Sequence, residues 1–283
     1  MMPETQTPDA QMIAWRALPQ ETRDRAYNNS LAVPESDALN ARRIADAKRF
    51  RARVPGVLDI PYGPRPRQRW DLFPAEDAAA PCLVFLHGGY WQRNRHEDFA
   101  CLAEGVRAHG FAQAFPGYTL APDISLAGIV DEIDTALDWL AENGRAHRIA
   151  GPILLSGWSA GGHLAALALG HRAVAAGLAI SGVFDLAPLR DTYLDDKLRL
   201  TAAEITTLSP LRQPAIGKPL AIAYGTAELP RLIADSRALH ARRAASHAPG
   251  PLIPIAGANH YTILDALRDP AGELTKAALS LMR

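Results

Sequence analysis

The sequence predicts an α/β protein built on a mostly parallel sheet covered by helices on both faces. Three observations predict it. Apolar runs of strand length alternate with stretches of helical periodicity from residue 82 onward. The run Cys82-Leu83-Val84-Phe85-Leu86 is continuously apolar, as a strand buried on both faces must be. Two strand-like segments, 57–60 and 69–73, precede it around the turn residues Tyr62-Gly63-Pro64-Arg65-Pro66, which adds an antiparallel opening.

Taken in order, residues 1 to about 50 are polar and helical in pattern. Ala38 to Arg53 carries Ile44, Ala47 and Phe50 at helical spacing. The expected organisation is a helical segment, 1–55, packing on a main domain, 56–283. After the strand at 82–86 come a helix from about His96 to His109 and a strand at 111–115. Ile129, Ile133, Leu137 and Leu140 then give Leu126 to Asn143 one apolar helical stripe. Ile153 to Leu155 is the next strand, followed by an Ala/Leu helix to about Gly170 and strands at 176–180 and 220–224. A helix over 232–245, a strand over 252–255 and a helix over 271–282 complete the chain. Asp185 to Pro214 is the longest stretch without a strand and is expected to carry short helices over the strand C-termini, where such sheets hold their ligands.

Chain length, 283 residues, suits one large domain or two small ones, and formal net charge is zero. No Lys/Arg block stands out beyond Arg65, Arg67 and Arg69, so no nucleic-acid partner is expected. No apolar run approaches the ~18 residues a membrane span needs. The polar, acidic start lacks a secretory pattern, and the two cysteines, Cys82 and Cys101, read as core fillers of a reduced, cytoplasmic protein. Oligomeric state stays open, a homodimer included.

The chemistry centres on Gly157-Trp158-Ser159-Ala160-Gly161, set between an apolar strand and a helix. A strand-to-helix turn this tight strains its central residue and needs small neighbours two positions away. Gly157 and Gly161 meet that need, and the turn lifts the Ser159 hydroxyl to the top of the sheet as a nucleophile elbow. A serine hydroxyl needs a base, and the base needs an acid to fix its tautomer. Among the downstream histidines, His163 and His171 belong to the elbow helix, and His240 and His247 to a charged helix and its end. His260 follows a strand and the flexible Ala256-Gly257-Ala258-Asn259, the placement a base requires. For the acid, Glu228 lies three residues after the strand ending at Gly225, with Asp185 as competitor. Backbone N–H groups of Gly88, Gly89 and Ala160 are candidate oxyanion donors. His87 is read as a brace for that loop. Tyr90, Trp91 and Trp158 flank the predicted site, either to stack on an aromatic substrate or to pack beneath the turn. No His/Cys/Asp/Glu cluster has metal-ligand spacing, so a metal-free, cofactor-free mechanism on a small-molecule substrate is expected.

These residues resemble a known family. His87-Gly88-Gly89-Tyr90-Trp91 is similar to the HGGxW signature of kynurenine formamidases (arylformamidases) and their bacterial esterase relatives in the α/β-hydrolase superfamily. The resemblance extends to Leu58–Gly63, Asp71–Pro74, Ser159–Leu164, Ser181–Leu186 and Asn259-His260-Tyr261, in the family's order, and Tyr118-Thr119-Leu120-Ala121-Pro122 resembles a segment of the wider superfamily. It implies an α/β-hydrolase fold, with Ser159 as nucleophile, His260 as base and Glu228 as acid, where animal members carry Asp. It implies acyl transfer on small esters or aryl formamides, esterase activity favoured. Hydrolysis of N-formyl-L-kynurenine is the alternative, and a non-catalytic binding module on the same fold the remaining one.

Overall fold

The computed structural model describes residues 8–283; residues 1–7, on which the expected absence of a leader rests, lie outside the described residues. Eight strands form one sheet: β1 (Val57–Pro61), β2 (Arg69–Phe73), β3 (Cys82–Leu86), β4 (Ala112–Pro116), β5 (Ile153–Trp158), β6 (Val174–Ile180), β7 (Leu220–Gly225) and β8 (Leu252–Ile255), in the order β1-β2-β4-β3-β5-β6-β7-β8. The pairs β1/β2 and β2/β4 are antiparallel and the rest parallel. This is the expected architecture, antiparallel opening included.

The helices are α1 (Pro8–Arg16), α2 (Gln20–Arg25), α3 (Asn29–Ala32), α4 (Ser36–Arg53), α5 (Ala103–Arg107), α6 (Leu126–Asn143), α7 (Ala160–Leu167), α8 (Asp195–Leu198), α9 (Ala202–Leu208), α10 (Pro230–Ala245), α11 (Asp265–Arg268) and α12 (Glu273–Leu281). Alternation along the strands divides the core between two faces. Leu83 and Phe85 of β3 join the layer with Ala47 and Phe50 of α4 and Leu274 of α12. Cys82, Val84 and Leu86 join the layer with α6, α7 and α10. Leu126, Ile129, Ile133, Leu137 and Leu140 of α6 are all buried, each worth about 1.5–3 kcal/mol of apolar burial. The Ser125 hydroxyl accepts from the Gly128 N–H and caps that helix.

One expected helix is shorter than its pattern. Over 96–109 the chain makes a 3₁₀ turn, His96–Leu102, before α5, and Gly110 at φ +84° ends it. Short elements do occupy 187–212, among them α8 and α9. The N-terminal helices lie against the rest of the chain through specific contacts. The Trp15 indole donates to Pro188 O at 3.2 Å, Arg231 stacks over the same ring, and the Arg231 Nε donates to the Tyr27 hydroxyl.

Behind Arg231, Asp235 is a buried carboxylate that accepts the Phe184 and Asp185 N–H groups. Burial pushes it up to about 7, outweighing those donors and Arg231. The folded state therefore keeps a proton that the unfolded chain releases from its ordinary value of 3.8. Stability from this group is fully present below about pH 4 and is lost as pH rises through 7. Asparagine keeps an acceptor for both N–H groups and carries no charge. The gain in Tm of Asp235→Asn over wild type is expected to be larger at pH 8 than at pH 5, read by thermal melts at both.

Candidate active site

The loops that follow β3, β5, β7 and β8 meet at the C-terminal end of the parallel strands. Ser159 follows β5 with φ +57° and ψ −119°, a conformation costing a non-glycine residue roughly 1–3 kcal/mol. It is held there by its N–H on Ile180 O at 2.8 Å and by its carbonyl accepting His163 N–H at 3.0 Å. The two glycines act as their spacing requires. A Cβ on Gly157 would lie 2.1 Å from Gly161 O, and one on Gly161 2.0 Å from Leu86 O.

His260, after β8, is buried and presents Nδ1 to Glu228 Oε2 at 3.2 Å. Glu228, after β7, has a fully buried side chain. Its Oε1 accepts the Ser181 hydroxyl and the Gly225 N–H. Three further features fix the histidine. Its carbonyl accepts the Trp158 indole N–H at 2.8 Å, its ring lies 4.8 Å from the Trp158 ring, and Asn259 Oδ1 accepts the N–H groups of Tyr261 and Thr262. Ser181, Asn259 and the anchoring role of Trp158 were not singled out from the sequence. The signals for Ser181 are its place at the start of a family-like segment and its position directly after a strand, which many loops share. Asp185, the competing acid, pairs instead with Arg212 at 2.8 and 3.1 Å.

The loop after β3 lies against the serine, since a Cβ on Gly88 would come within 3.0 Å of the Ser159 Cβ. Gly88 O accepts from His87 Nδ1 and Asn94 Nδ2, and Tyr118 donates to His87 O at 2.7 Å. In a trans peptide the Gly89 N–H points opposite to that tethered carbonyl. Ala160 opens α7, so its N–H has no intrahelical acceptor. Burial pushes His87 down to about 3 and His163 down to about 4, so both stay neutral at physiological pH.

Ser159, His260, Trp158, Tyr90 and Gly89 line one cavity of about 70 Å³, with Asn28, Asn29, Ser30 and Asn40 of the N-terminal segment and Tyr193 of the 185–214 stretch forming other walls. Three larger cavities, about 680, 600 and 450 Å³, lie elsewhere and are lined by neither Ser159 nor His260. The arrangement of reactive groups, not volume, selects the site. Trp91 corrects an expectation. It is wholly buried, edge-on to His163 at 4.9 Å, and does not line this cavity, so it packs beneath the loop and cannot stack on a substrate there. Tyr90 does line it, with its hydroxyl donating to Tyr27 O and accepting from Asn29.

Asp59, Asp71 and His96 bring potential ligand atoms within 4.8 Å of one another, an assembly invisible in their sequence spacing. Arg51 reaches both carboxylates, at 2.6 Å to Asp71 and 3.3 Å to Asp59. Burial pushes the Asp71 carboxyl up, but His96 and Arg51 outweigh it and hold it below the usual range. A guanidinium already holds the place a cation would take.

This fold, with a strained serine at the strand–helix turn of its sheet, is that of the α/β-hydrolases. The BD-FAE family model matches residues 71–179. Kynurenine formamidase of Danio rerio is 22% identical over 293 residues, 96% of this chain and 99% of that one. An esterase of Gibberella moniliformis is 31% identical over 106 residues, 37% of this chain and 33% of its own. Among solved structures, a candidate thioesterase from Silicibacter sp. TM1040 superposes with a TM-score of 0.79 at 29% identity, over 90% of this chain and 97% of that one. Esterase B of Lactobacillus rhamnosis, solved with a tributyrin phosphonate inhibitor, gives 0.69 at 20% identity over 90% and 94%. The chain is a hydrolase with the α/β-hydrolase fold, similar to esterases and to kynurenine formamidases.

Proposed function

We propose that the protein is a serine hydrolase whose triad is Ser159, His260 and Glu228. The carrying observation is the contact of Glu228 with Nδ1 of His260, the histidine that lines the same cavity as the strained Ser159. Glu228 fixes the tautomer that leaves Nε2 free to accept a proton. Ser159 Oγ attacks the substrate carbonyl carbon while its proton passes to Nε2. Negative charge develops on the carbonyl oxygen and is met by the N–H groups of Gly88, Gly89 and Ala160. His260 then protonates the leaving alcohol or arylamine. Water, deprotonated by the same ring, releases the acyl group and restores the serine.

A cavity of about 70 Å³ suits a short acyl group, a few times the ~30 Å³ of one water. We favour small carboxylic esters as the substrates. Hydrolysis of N-formyl-L-kynurenine to kynurenine and formate is the second reading, favoured by the same small volume and by formamidase relatives that span almost the whole chain. In this reading 56–283 forms the catalytic domain, 1–55 packs on it, and the protein acts in the cytoplasm on a small molecule. Among the described residues, no helix is long and apolar enough to cross a membrane. The deciding measurement is kcat/KM on p-nitrophenyl acetate and on N-formyl-L-kynurenine. A formamide value of about 10⁴ M⁻¹s⁻¹ or more makes it a formamidase, and ester turnover alone makes it an esterase.

A further inference from the structure

We propose that this cavity selects substrates carrying a carboxylate beyond the scissile carbonyl, and that Arg93 is the residue that reads it. The proposal rests on the hydrolase reading of the same site. Glu228 is committed to His260, and no Asp or Glu side chain lines the cavity. Arg93 does line it, beside Tyr193 and with no carboxylate at ion-pair distance among the described residues. Of the four asparagines in the wall, Asn29 and Asn94 have engaged Nδ2, on the Tyr90 hydroxyl and on Gly88 O, whereas Asn28 and Asn40 have engaged Oδ1. Asn28 Oδ1 takes the Leu31 N–H at 3.0 Å, and Asn40 Oδ1 takes Arg43 Nη1 at 2.7 Å. Asn28 and Asn40 thus keep an amide NH₂ donor for a ligand, while Asn29 and Asn94 keep an Oδ1 acceptor. Behind the wall, Arg43 is buried with its guanidinium 5.8 Å from the Trp158 ring and its Nη2 without a partner. The site thus sets one guanidinium, without a carboxylate partner, among neutral donors and acceptors, and Glu228 is consumed by His260. A neutral substrate leaves that charge uncompensated, whereas a carboxylate gains charge-assisted hydrogen bonds. Arg93 is exposed, so solvent screens it and the discrimination is moderate.

The test uses 4-acetoxybenzoate and its methyl ester, which share acyl group and ring and differ in charge. Their Kd values are measured by calorimetry on Ser159→Ala and on Ser159→Ala/Arg93→Gln, so binding is read without turnover. The ratio of neutral-ester to anion Kd is expected to exceed one and to fall about fivefold or more when Arg93 is lost. Arg93→Lys in the same background should restore part of it, and raising salt should shrink it. A ratio that is the same in both proteins overturns the proposal. Hydrolysis of either ester by Ser159→Ala would overturn the triad instead, and the two failures are distinguishable in one set of samples.

Discussion

Ser159→Ala is expected to lower kcat/KM on a turned-over ester or formamide by about 10⁴-fold or more and to abolish labelling by a fluorophosphonate probe, with the fold unchanged. The size of the loss follows from the division of labour. Without the hydroxyl there is no covalent intermediate, and His260 and Glu228 have nothing to activate. Only oxyanion stabilisation and binding remain, and those leave a small residual rate over water. Stability should hardly change, because the Ser159 backbone, through its bonds to Ile180 and His163, and not its hydroxyl, holds the turn. Ser159→Gly sharpens the point. Glycine adopts φ +57° without steric cost, so relief of about 1–3 kcal/mol of strain competes with roughly 0.5–1 kcal/mol of added chain entropy. That variant should be as inactive as the alanine and melt at the same temperature or higher. Activity that survives either substitution, checked on freshly purified protein with the probe, would end the mechanism proposed here.

The legible parts of the sequence were those in which local rules and tertiary demands coincide. β3 and β5 are buried on both faces, so their composition announces them. The elbow turn needs glycines two residues either side of Ser159 because Gly161 passes against Leu86 O and Gly157 against Gly161 O, and that demand is written at fixed spacing. Position relative to a strand end was enough to single out His260 and Glu228, since neither depends on a distant partner to be found. Less legible were contacts made by residues far apart in sequence. Ser181 holds Glu228 across 47 residues, and the Trp158 indole anchors His260 across 102. The walls of the cavity come from residues 28–40, 89–94, 193 and 261, which no local pattern joins. Trp91 shows the opposite error. Its place in the signature suggested the site, yet the backbone turns through positive φ at Tyr90 and Trp91 and delivers the indole into the core. The 96–109 helix was overextended because apolar spacing registers which residues are buried but does not register a 3₁₀ turn, which buries the same residues.

Glu228→Gln is expected to lower kcat by about 10³- to 10⁴-fold while leaving KM and the fold close to wild type. The surrounding hydrogen bonds dictate which way the new amide must face. Ser181 Oγ and Gly225 N both donate to Oε1, so the glutamine oxygen takes that position and its NH₂ takes the place of Oε2. An NH₂ there donates to His260 Nδ1 and forces the proton onto Nε2, the atom that has to accept from Ser159. The base is then held in the wrong tautomer in an otherwise intact site. Ser181→Ala removes one of the two anchors and should give a smaller loss, about tenfold, mostly in kcat. Asp185→Asn is the contrasting variant. Both its oxygens face Arg212, and Oδ1 also takes the Ala187 N–H at 3.1 Å, so it has no bond to His260 to lose. It should keep kcat/KM within about threefold of wild type. Steady-state kinetics of the three variants on one substrate decide the assignment. A deep loss in Asp185→Asn with near-normal Glu228→Gln would transfer the acid's role to Asp185. A loss confined to Glu228→Gln, graded in Ser181→Ala, is the pattern that a Glu–His–Ser relay anchored through Ser181 requires.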